Sequence, residues 1–168
     1  MLMRINLLII SMVTLLLFSN MTPAKQSRGG AAMKWVIQRS PGDGSCLFHS
    51  VSTGSDVPAK QLRKQTVRYL NDHRGDDISG MTLKQLIETD PGVTFSNYVN
   101  NMKSSTEWGG GPEIFAMSRI LKRSILVYSK DDSGMKLISS LGEYKGSKLK
   151  PIRLLYSGSS HYDCLVII

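Results

Sequence analysis

A cysteine between a glycine-rich turn and an apolar run is the residue best suited to chemistry in this sequence. The stretch reads Gly42-Asp43-Gly44-Ser45-Cys46-Leu47-Phe48. Gly42 and Gly44 allow a tight turn with positive φ, and Asp43 can accept backbone N–H groups two or three residues on, as a helix N-cap does. Cys46 would then lie in the first turn of a helix, where the helix dipole favours a thiolate. The N–H groups of that turn, around residues 43–46, would also stabilise an oxyanion.

A cysteine nucleophile needs a base, and His161 is the best placed of the three histidines. It opens an apolar C-terminal stretch that predicts a final strand. Side chains alternate along a strand, so His161 and Asp163 share a face with Cα atoms about 7 Å apart. The Asp163 carboxylate can therefore reach the far imidazole nitrogen and orient the ring. Cys164 would point to the opposite face, toward the core.

Each of these residues also has a structural interpretation. Cys46 could be a buried core thiol, which is the usual role of a free cysteine. His161 could be a hydrogen-bonded histidine at the end of a strand. Asp163 could be a surface or capping acid. A tyrosine-phosphatase site is excluded, because Ser52 stands where the required arginine would be, six residues after the cysteine.

Four of these side chains also suggest a metal site or a disulfide. Cys46-x-x-His49 and His161-x-x-Cys164 carry a Cys2His2 set of zinc ligands. Residues 161 and 164 point to opposite faces of a strand, which argues against zinc. A Cys46–Cys164 disulfide is the other alternative. We expect neither a metal nor a cofactor.

Three separated blocks of the sequence together resemble the ovarian-tumour (OTU) family of cysteine proteases. They are the Cys block above, Trp108-Gly109-Gly110 with Glu113, Ala116 and Ser118 followed by Ile125-Leu126-Val127, and His161-Tyr162-Asp163. The resemblance covers roughly residues 35–168 and implies a papain-like deubiquitinase. It assigns Cys46 as nucleophile, His161 as general base and acid, Asp163 as the acid that orients His161, and Asp43 as support for the loop and oxyanion site. His49 is a departure, since the family often has arginine there.

The activity implied by the resemblance is that of a thiol-dependent isopeptidase. Such an enzyme cleaves ubiquitin or a ubiquitin-like protein from conjugates through a Cys46 thioester. The alternative is a catalytically inactive OTU-like module that holds ubiquitin or another protein without cutting. The intact set of cysteine, histidine and aspartate favours the enzyme.

Composition bounds the class of protein. The chain has 168 residues, 41% of them hydrophobic, which suits one globular domain with a core. The net charge of +8 is compatible with nucleic acid or an anionic membrane. No basic stretch interleaved with aromatic residues supports nucleic-acid binding, so we interpret the charge as a solvated basic surface. We expect a monomer with no nucleic-acid partner.

The first 24 residues differ from the rest. Arg4 precedes an almost wholly apolar run over residues 5–18, and small residues follow at Thr22-Pro23-Ala24. This layout predicts a signal or anchor segment over residues 1–24, with membrane association through residues 5–18. Residues 25–33 form a basic linker, and residues 34–168 form the catalytic domain. A translation start at Met21 or Met33 would remove the run and place the protein in the cytoplasm; otherwise secretory-pathway entry or anchoring is expected.

The order of elements predicts an α+β fold with a small β-sheet flanked by helices, because helices come first and strands dominate the end. The resemblance adds that this is an OTU-like fold of the papain superfamily. Helix 58–74 should bury one face, formed by Leu62, Thr66, Tyr69 and Leu70. Its solvent-exposed face should carry Lys60, Arg63, Lys64 and Arg68. His73, after this helix, should be a solvated surface histidine. The predicted elements are strand 35–37, helices from Cys46 to about residue 53 and over 58–74, 82–88, 95–102 and 112–122, and strands 124–129, 135–138, 151–156 and 161–168.

Overall fold

The computed structural model describes residues 34–142, 144, 148–158 and 160–168 of the chain. Strands and helices are numbered separately below in chain order. The elements are β1 (Trp35–Gln38), α1 (Cys46–Ser55), α2 (Ala59–Asp72), β2 (Asp77–Ile78), β3 (Met81–Thr82), α3 (Leu83–Ile87), α4 (Phe95–Asn101), α5 (Gly111–Leu121), β4 (Ile125–Asp131), β5 (Gly134–Leu141), β6 (Ile152–Ser157) and β7 (His161–Ile167). The fold is α+β, as predicted.

Five strands form one sheet in the order β1-β7-β6-β4-β5, and β2 pairs with β3 in a separate hairpin. The C-terminal strand β7 lies between the first strand, β1, and β6, antiparallel to both. Strands β6 and β4 are parallel, and β4 and β5 form an antiparallel pair. The pairing of β1 with β7 therefore places the end of β1, and Arg39 and Ser40 after it, near the start of β7, where His161 lies.

Helices pack on the sheet and on one another to enclose two clusters of buried side chains. Helix α1 packs on β6 and β7, α2 packs on α1 and α5, and α5 also contacts β4 and β5. The larger cluster lies between α1 and the sheet and includes Phe48, Val51, Ile152, Leu154 and Tyr162. The smaller cluster lies among the helices and includes Leu70, Leu83, Ile87, Phe95 and Phe115.

A chain of hydroxyl groups fixes α1 against β7. The Ser50 hydroxyl is fully buried and donates to the Tyr162 carbonyl at 2.9 Å. Its oxygen also lies 2.8 Å from the Ser40 hydroxyl, just after β1. Because buried hydroxyls are costly to leave unpaired, these bonds define how α1 sits relative to the start of β7, where His161 lies.

Two local predictions are wrong. Arg63 was expected on the solvent-exposed side of α2, but it is only 7% exposed. Its guanidinium is surrounded by backbone carbonyls that accept hydrogen bonds from its N–H groups. Gly42 does not adopt positive φ, whereas Gly44 does at 83°. The turn before Cys46 therefore needs one left-handed residue, since the Asp43 side chain supplies the other constraint by bonding Ser45.

The predicted N-terminal segment lies outside the described residues. Residues 1–24 and 25–33 therefore remain a predicted targeting segment and linker. Within residues 34–142, 144, 148–158 and 160–168, no helix has both the length and the apolar character required to cross a bilayer.

Candidate active site

Cys46 is the first residue of α1 and is 7% exposed. Its Sγ lies 3.9 Å from the carbonyl oxygen of Ser160, the residue before His161. A residue at this position has a backbone N–H with no acceptor inside the helix. The thiol therefore lies beside the start of β7, at the positive end of a helix dipole.

His161 and Asp163 share a face of β7, as strand parity predicts. His161 Nε2 lies 3.1 Å from Asp163 Oδ1. The Asp163 side chain is fully buried, while that of His161 is about one-third exposed. Two further donors reach the carboxylate: Ser40 N–H bonds Oδ1 at 2.9 Å, and Arg39 Nη1 bonds Oδ2 at 2.7 Å.

These contacts determine the charge of Asp163 and the tautomer of His161. Burial would raise the pKa of Asp163, but hydrogen bonds from Ser40, His161 and Arg39 outweigh burial and hold that pKa below its usual range. An ionised carboxylate only accepts, so His161 Nε2 must carry the proton in this bond. In the neutral ring Nδ1 is then an acceptor, which is the form that a general base requires.

Asp43 stabilises the turn that precedes the cysteine. Its Oδ1 accepts the Ser45 N–H at 2.9 Å, and its Oδ2 lies 3.0 Å from His49 Nε2. The bond from Ser45 and then the bond from His49 lower the pKa of Asp43. His49 therefore bonds Asp43 from one turn along α1. The Ser45 N–H is already used, which leaves the Cys46 N–H as the donor best placed for an oxyanion.

Arg63 connects this turn to the loop after α4. Its Nη2 donates to Gly44 O at 3.1 Å and to Glu107 O at 2.8 Å. Its guanidinium also lies 4.2 Å from the centre of the Phe48 ring. A buried cation is tolerated only when it is well paired, and Arg63 meets this condition through contacts on both loops.

A buried carboxyl group lies behind the Trp108-Gly109-Gly110 block. Glu113 is fully buried and accepts the Gly110 N–H at 2.6 Å and the Tyr98 hydroxyl at 2.9 Å. Burial raises the pKa of Glu113 to about 7, although the bonds from Gly110 and Tyr98 act in the opposite direction. The backbone of the block is tightly packed, since a Cβ on Gly109 would meet Leu47 Cδ2 at 2.8 Å. The Trp108 side chain, by contrast, is 45% exposed.

The alternatives of zinc and disulfide find no support in the geometry. Both cysteines are free and buried, and burial raises the pKa of the Cys164 thiol. In the part of the chain that the structure describes, no three His, Cys, Asp or Glu side chains are grouped so that they could hold a metal ion. His73 is exposed and stacks on Tyr69, in agreement with its prediction as a surface histidine.

Of the four predicted site residues, His161 bonds Asp163, Cys46 lies beside Ser160, and Asp43 holds the turn before Cys46. The structure adds several neighbours that the sequence reasoning missed. Arg39 and Ser40 reach Asp163 across a sequence separation of more than 120 residues, and no local pattern marks them. Arg63 did carry a sign: it precedes Thr66 by three residues and Leu70 by seven, so it belongs to the buried stripe of α2. A positive charge in such a stripe indicates a satisfied internal cation.

Comparison with known sequences gives one consistent family. A family model described as OTU-like cysteine protease matches residues 41–163. OVARIAN TUMOR DOMAIN-containing deubiquitinating enzyme 4 of Arabidopsis thaliana is 36% identical over 135 residues, which cover 76% of this chain and 42% of that protein. Deubiquitinase OTUD6B of Xenopus tropicalis is 27% identical over 152 residues, which cover 86% of this chain and 50% of that protein. The chain thus spans half or less of each of these relatives.

Solved structures agree on the fold. The Hazara virus OTU bound to ubiquitin has a TM-score of 0.62 at 20% identity, over 89% of this chain and 96% of the viral one. The OTUD1 OTU domain has a TM-score of 0.58 at 24% identity, over 79% of this chain and 85% of the other. The predicted fold, a small sheet flanked by helices in the OTU arrangement, is confirmed.

Proposed function

Since the chain belongs to the family of OTU-like cysteine proteases, we propose that it is a thiol-dependent deubiquitinase. The observation that carries the proposal is that Cys46 Sγ lies 3.9 Å from the carbonyl of Ser160, the residue before His161, and that the His161 ring bonds Asp163. The substrate is a conjugate in which the C-terminal glycine of ubiquitin, or of a ubiquitin-like protein, forms an amide with a lysine. The site residues require no metal or cofactor for this reaction.

The first half of the reaction forms a thioester. His161 Nδ1 accepts the Cys46 proton, and the sulfur attacks the carbonyl carbon of the terminal glycine. The Cys46 N–H, directed out of the start of α1, bonds the oxyanion that forms. The imidazolium then gives its proton to the departing lysine amine as the C–N bond breaks. Asp163 stabilises the imidazolium and keeps its ring in place.

The second half regenerates the thiol. A water molecule loses a proton to His161 and attacks the thioester carbonyl, and the same donor bonds the second oxyanion. The C–S bond breaks, His161 returns the proton to sulfur, and ubiquitin leaves with a free carboxylate. Asp43 does not exchange protons in this scheme, because its carboxylate is used to hold the Ser45 N–H and His49.

A ubiquitin probe with a C-terminal electrophile tests the proposal. The full chain should form a covalent adduct that peptide mapping assigns to Cys46, and Cys46→Ala should abolish the adduct. If the wild type forms no adduct but Cys46→Ala still binds ubiquitin, the chain is instead a binding module. An adduct mapped to Cys164 would refute the assignment of the nucleophile.

The assignment of the base has its own matched pair. His161→Ala should lower the rate of ubiquitin-amide hydrolysis by about 10³-fold or more, and Asp163→Asn should have an intermediate effect. His49→Ala should cost far less, because His49 bonds Asp43 and leaves the His161–Asp163 pair intact. A larger loss for His49→Ala than for His161→Ala would show that the base is misassigned.

A further inference from the structure

Arg63 lies where three segments meet, and its hydrogen bonds are divided among them. From α2, its Nη1 donates to Met102 O at 3.2 Å. Its Nη2 lies within 3.1 Å of Gly44 O and Ser45 Oγ, in the turn before the nucleophile. The same nitrogen lies 3.3 Å from Ser105 O and 2.8 Å from Glu107 O, in the loop after α4. One buried side chain thus connects the cysteine's turn to a second loop.

The two loops are in close contact around this guanidinium. A Cβ on Gly44 would lie 2.7 Å from the Thr106 backbone. The Ser45 hydroxyl donates to Ser105 O at 2.9 Å. The turn therefore has no room to relax on this side, and its Gly44 carbonyl accepts a hydrogen bond from Arg63.

Peptide geometry transmits this constraint to the site of reaction. In a trans peptide the C=O and the following N–H point in opposite directions. Because Arg63 holds Gly44 O on the inner side, the Ser45 N–H points outward, where Asp43 accepts it. Ser45 O in turn accepts the His49 N–H at 3.0 Å as the first helical bond of α1. The Cys46 N–H must then point out of the helix, toward the position of an oxyanion.

We infer that Arg63 is a positioning residue of the reaction, which acts through the Gly44 and Ser45 peptides to fix the direction of the Cys46 N–H. The inference rests on the proposed function and adds a residue that never touches substrate. Arginine suits the task because its planar fork bonds several carbonyls at once, while lysine is a point donor on a flexible stem. The guanidinium stays charged, because the carboxylates of Glu113 and Glu107 partly offset the effect of burial, which lowers the pKa of Arg63.

The test compares Arg63→Lys with Arg68→Lys in the full chain. Arg68 is on the same helix but exposed, and pairs only loosely with Asp72 at 3.6 Å. Hydrolysis of a fluorogenic ubiquitin C-terminal amide measures a reaction that passes through an oxyanion. Alkylation of Cys46 by iodoacetamide measures the reactivity of the thiol in a reaction that forms no oxyanion. Amide exchange of Ser45 measures the placement of the turn independently of activity.

Arg63→Lys should lower kcat at least about tenfold, because loss of one well-placed oxyanion donor costs about 10²–10³-fold. KM and the alkylation rate should stay within about twofold, and Ser45 exchange should quicken at least about tenfold. Arg68→Lys should match the wild type in all three. Unchanged kcat, or equal losses of kcat and alkylation, would overturn the inference.

Two further outcomes keep the inference separate from its premise. If Arg63→Lys does not fold, Ser45→Ala removes one acceptor of the same guanidinium, and a kcat equal to the wild type's would overturn the inference. If the wild type hydrolyses no ubiquitin amide, the proposed function fails. Ser45 exchange that is unchanged in Arg63→Lys would then refute the role of Arg63 in placing the turn.

Discussion

At the scale of single residues, the most informative side chain is Asp163. It is fully buried, yet one oxygen accepts from Ser40 N–H and His161 while the other accepts from Arg39. These donors hold its pKa below the usual range despite burial. Its ionised form therefore stabilises the fold above the unfolded pKa of about 3.9, and that stability is lost as the pH falls through the lower folded pKa.

Arg39→Met should raise the pKa of Asp163, because one of the donors that favour the carboxylate is removed. The rise should be no more than about one pH unit, since the Arg39 side chain is 73% exposed and its charge is screened by solvent. A 13C NMR titration of the Asp163 carboxyl carbon measures this pKa directly. Arg74→Met, an exposed arginine elsewhere, should leave the titration unchanged, and an unchanged titration in Arg39→Met would contradict the prediction.

The two glycines of the cysteine's turn should respond differently to alanine. Gly44 has φ of 83°, and a Cβ there would lie 2.7 Å from the Thr106 backbone, whereas nothing lies within 4 Å of a Cβ on Gly42. Gly44→Ala should therefore lower the free energy of unfolding by at least about 2 kcal/mol. Gly42→Ala should change it by less than about 0.5 kcal/mol. Urea denaturation measures both, and equal effects would refute this account of the turn.

At the scale of elements, patterning predicted most of the helices and strands but not all of their faces. Apolar periodicity located α2, and Leu62, Thr66 and Leu70 are buried as expected. Arg63 was misplaced, because charge was taken as a sign of exposure although its position lies on the buried stripe. The reason is tertiary: the acceptors of Arg63 lie on loops 18 to 44 residues away, and no stretch of sequence confined to α2 contains them.

The N-terminus of α5 depends on a carboxyl group that titrates near neutral pH. Glu113 forms a capping interaction with the Gly110 N–H, three residues earlier, and accepts a bond from Tyr98. Both bonds favour the carboxylate, but complete burial outweighs them and raises the pKa to about 7. For an acid with a raised folded pKa, the stabilising contribution is fully present below the unfolded value and is lost as the pH rises through the folded value.

Glu113→Gln should remove this dependence on pH, because the amide is nearly isosteric and does not titrate. The free energy of unfolding of the wild type, relative to the variant, should fall by up to about 3 kcal/mol between pH 4.5 and about 7. Denaturant titrations of both proteins across that range measure the difference. Ser118→Ala is a control on the same helix with a buried but non-titrating bond to Phe115 O. Parallel curves for the wild type and Glu113→Gln would contradict the prediction.

At the scale of the whole molecule, the sequence blocks predict candidate site residues, and the topology adds neighbours to them. Cys46, His161 and Asp163 could be chosen from residue type, turn chemistry and strand parity. Arg39 and Ser40 could not, because they meet Asp163 only through the antiparallel pairing of β1 with β7. That pairing joins residues more than 120 positions apart. Local sequence patterns therefore cannot predict that Arg39 and Ser40 contact Asp163.

The segment over residues 1–24 is the part of the chain for which we propose a role outside the OTU-like fold. Its run over residues 5–18 carries no charged side chain and only three polar ones, Asn6, Ser11 and Thr14. The described residues already form two clusters of buried side chains, one between α1 and the sheet and one among the helices. Left attached and uncovered, the run would expose more than the few hundred Å² of contiguous apolar surface that soluble monomers usually tolerate.

Deletion of residues 1–24 should therefore leave a domain that is folded, more soluble and as reactive toward the ubiquitin probe as the full chain. Circular dichroism melting and the rate of adduct formation measure this.

In cells, replacing Leu15, Leu16 and Leu17 with Asp should redirect the full-length protein to the cytosol, because three charges prevent the run from entering a membrane or the secretory pathway. Replacing Lys60, Lys64 and Arg68 with Asp should not redirect it, since these side chains lie on the exposed face of α2. If the deletion unfolds the domain, the run belongs to the core, and the boundary proposed between targeting segment and catalytic domain is wrong.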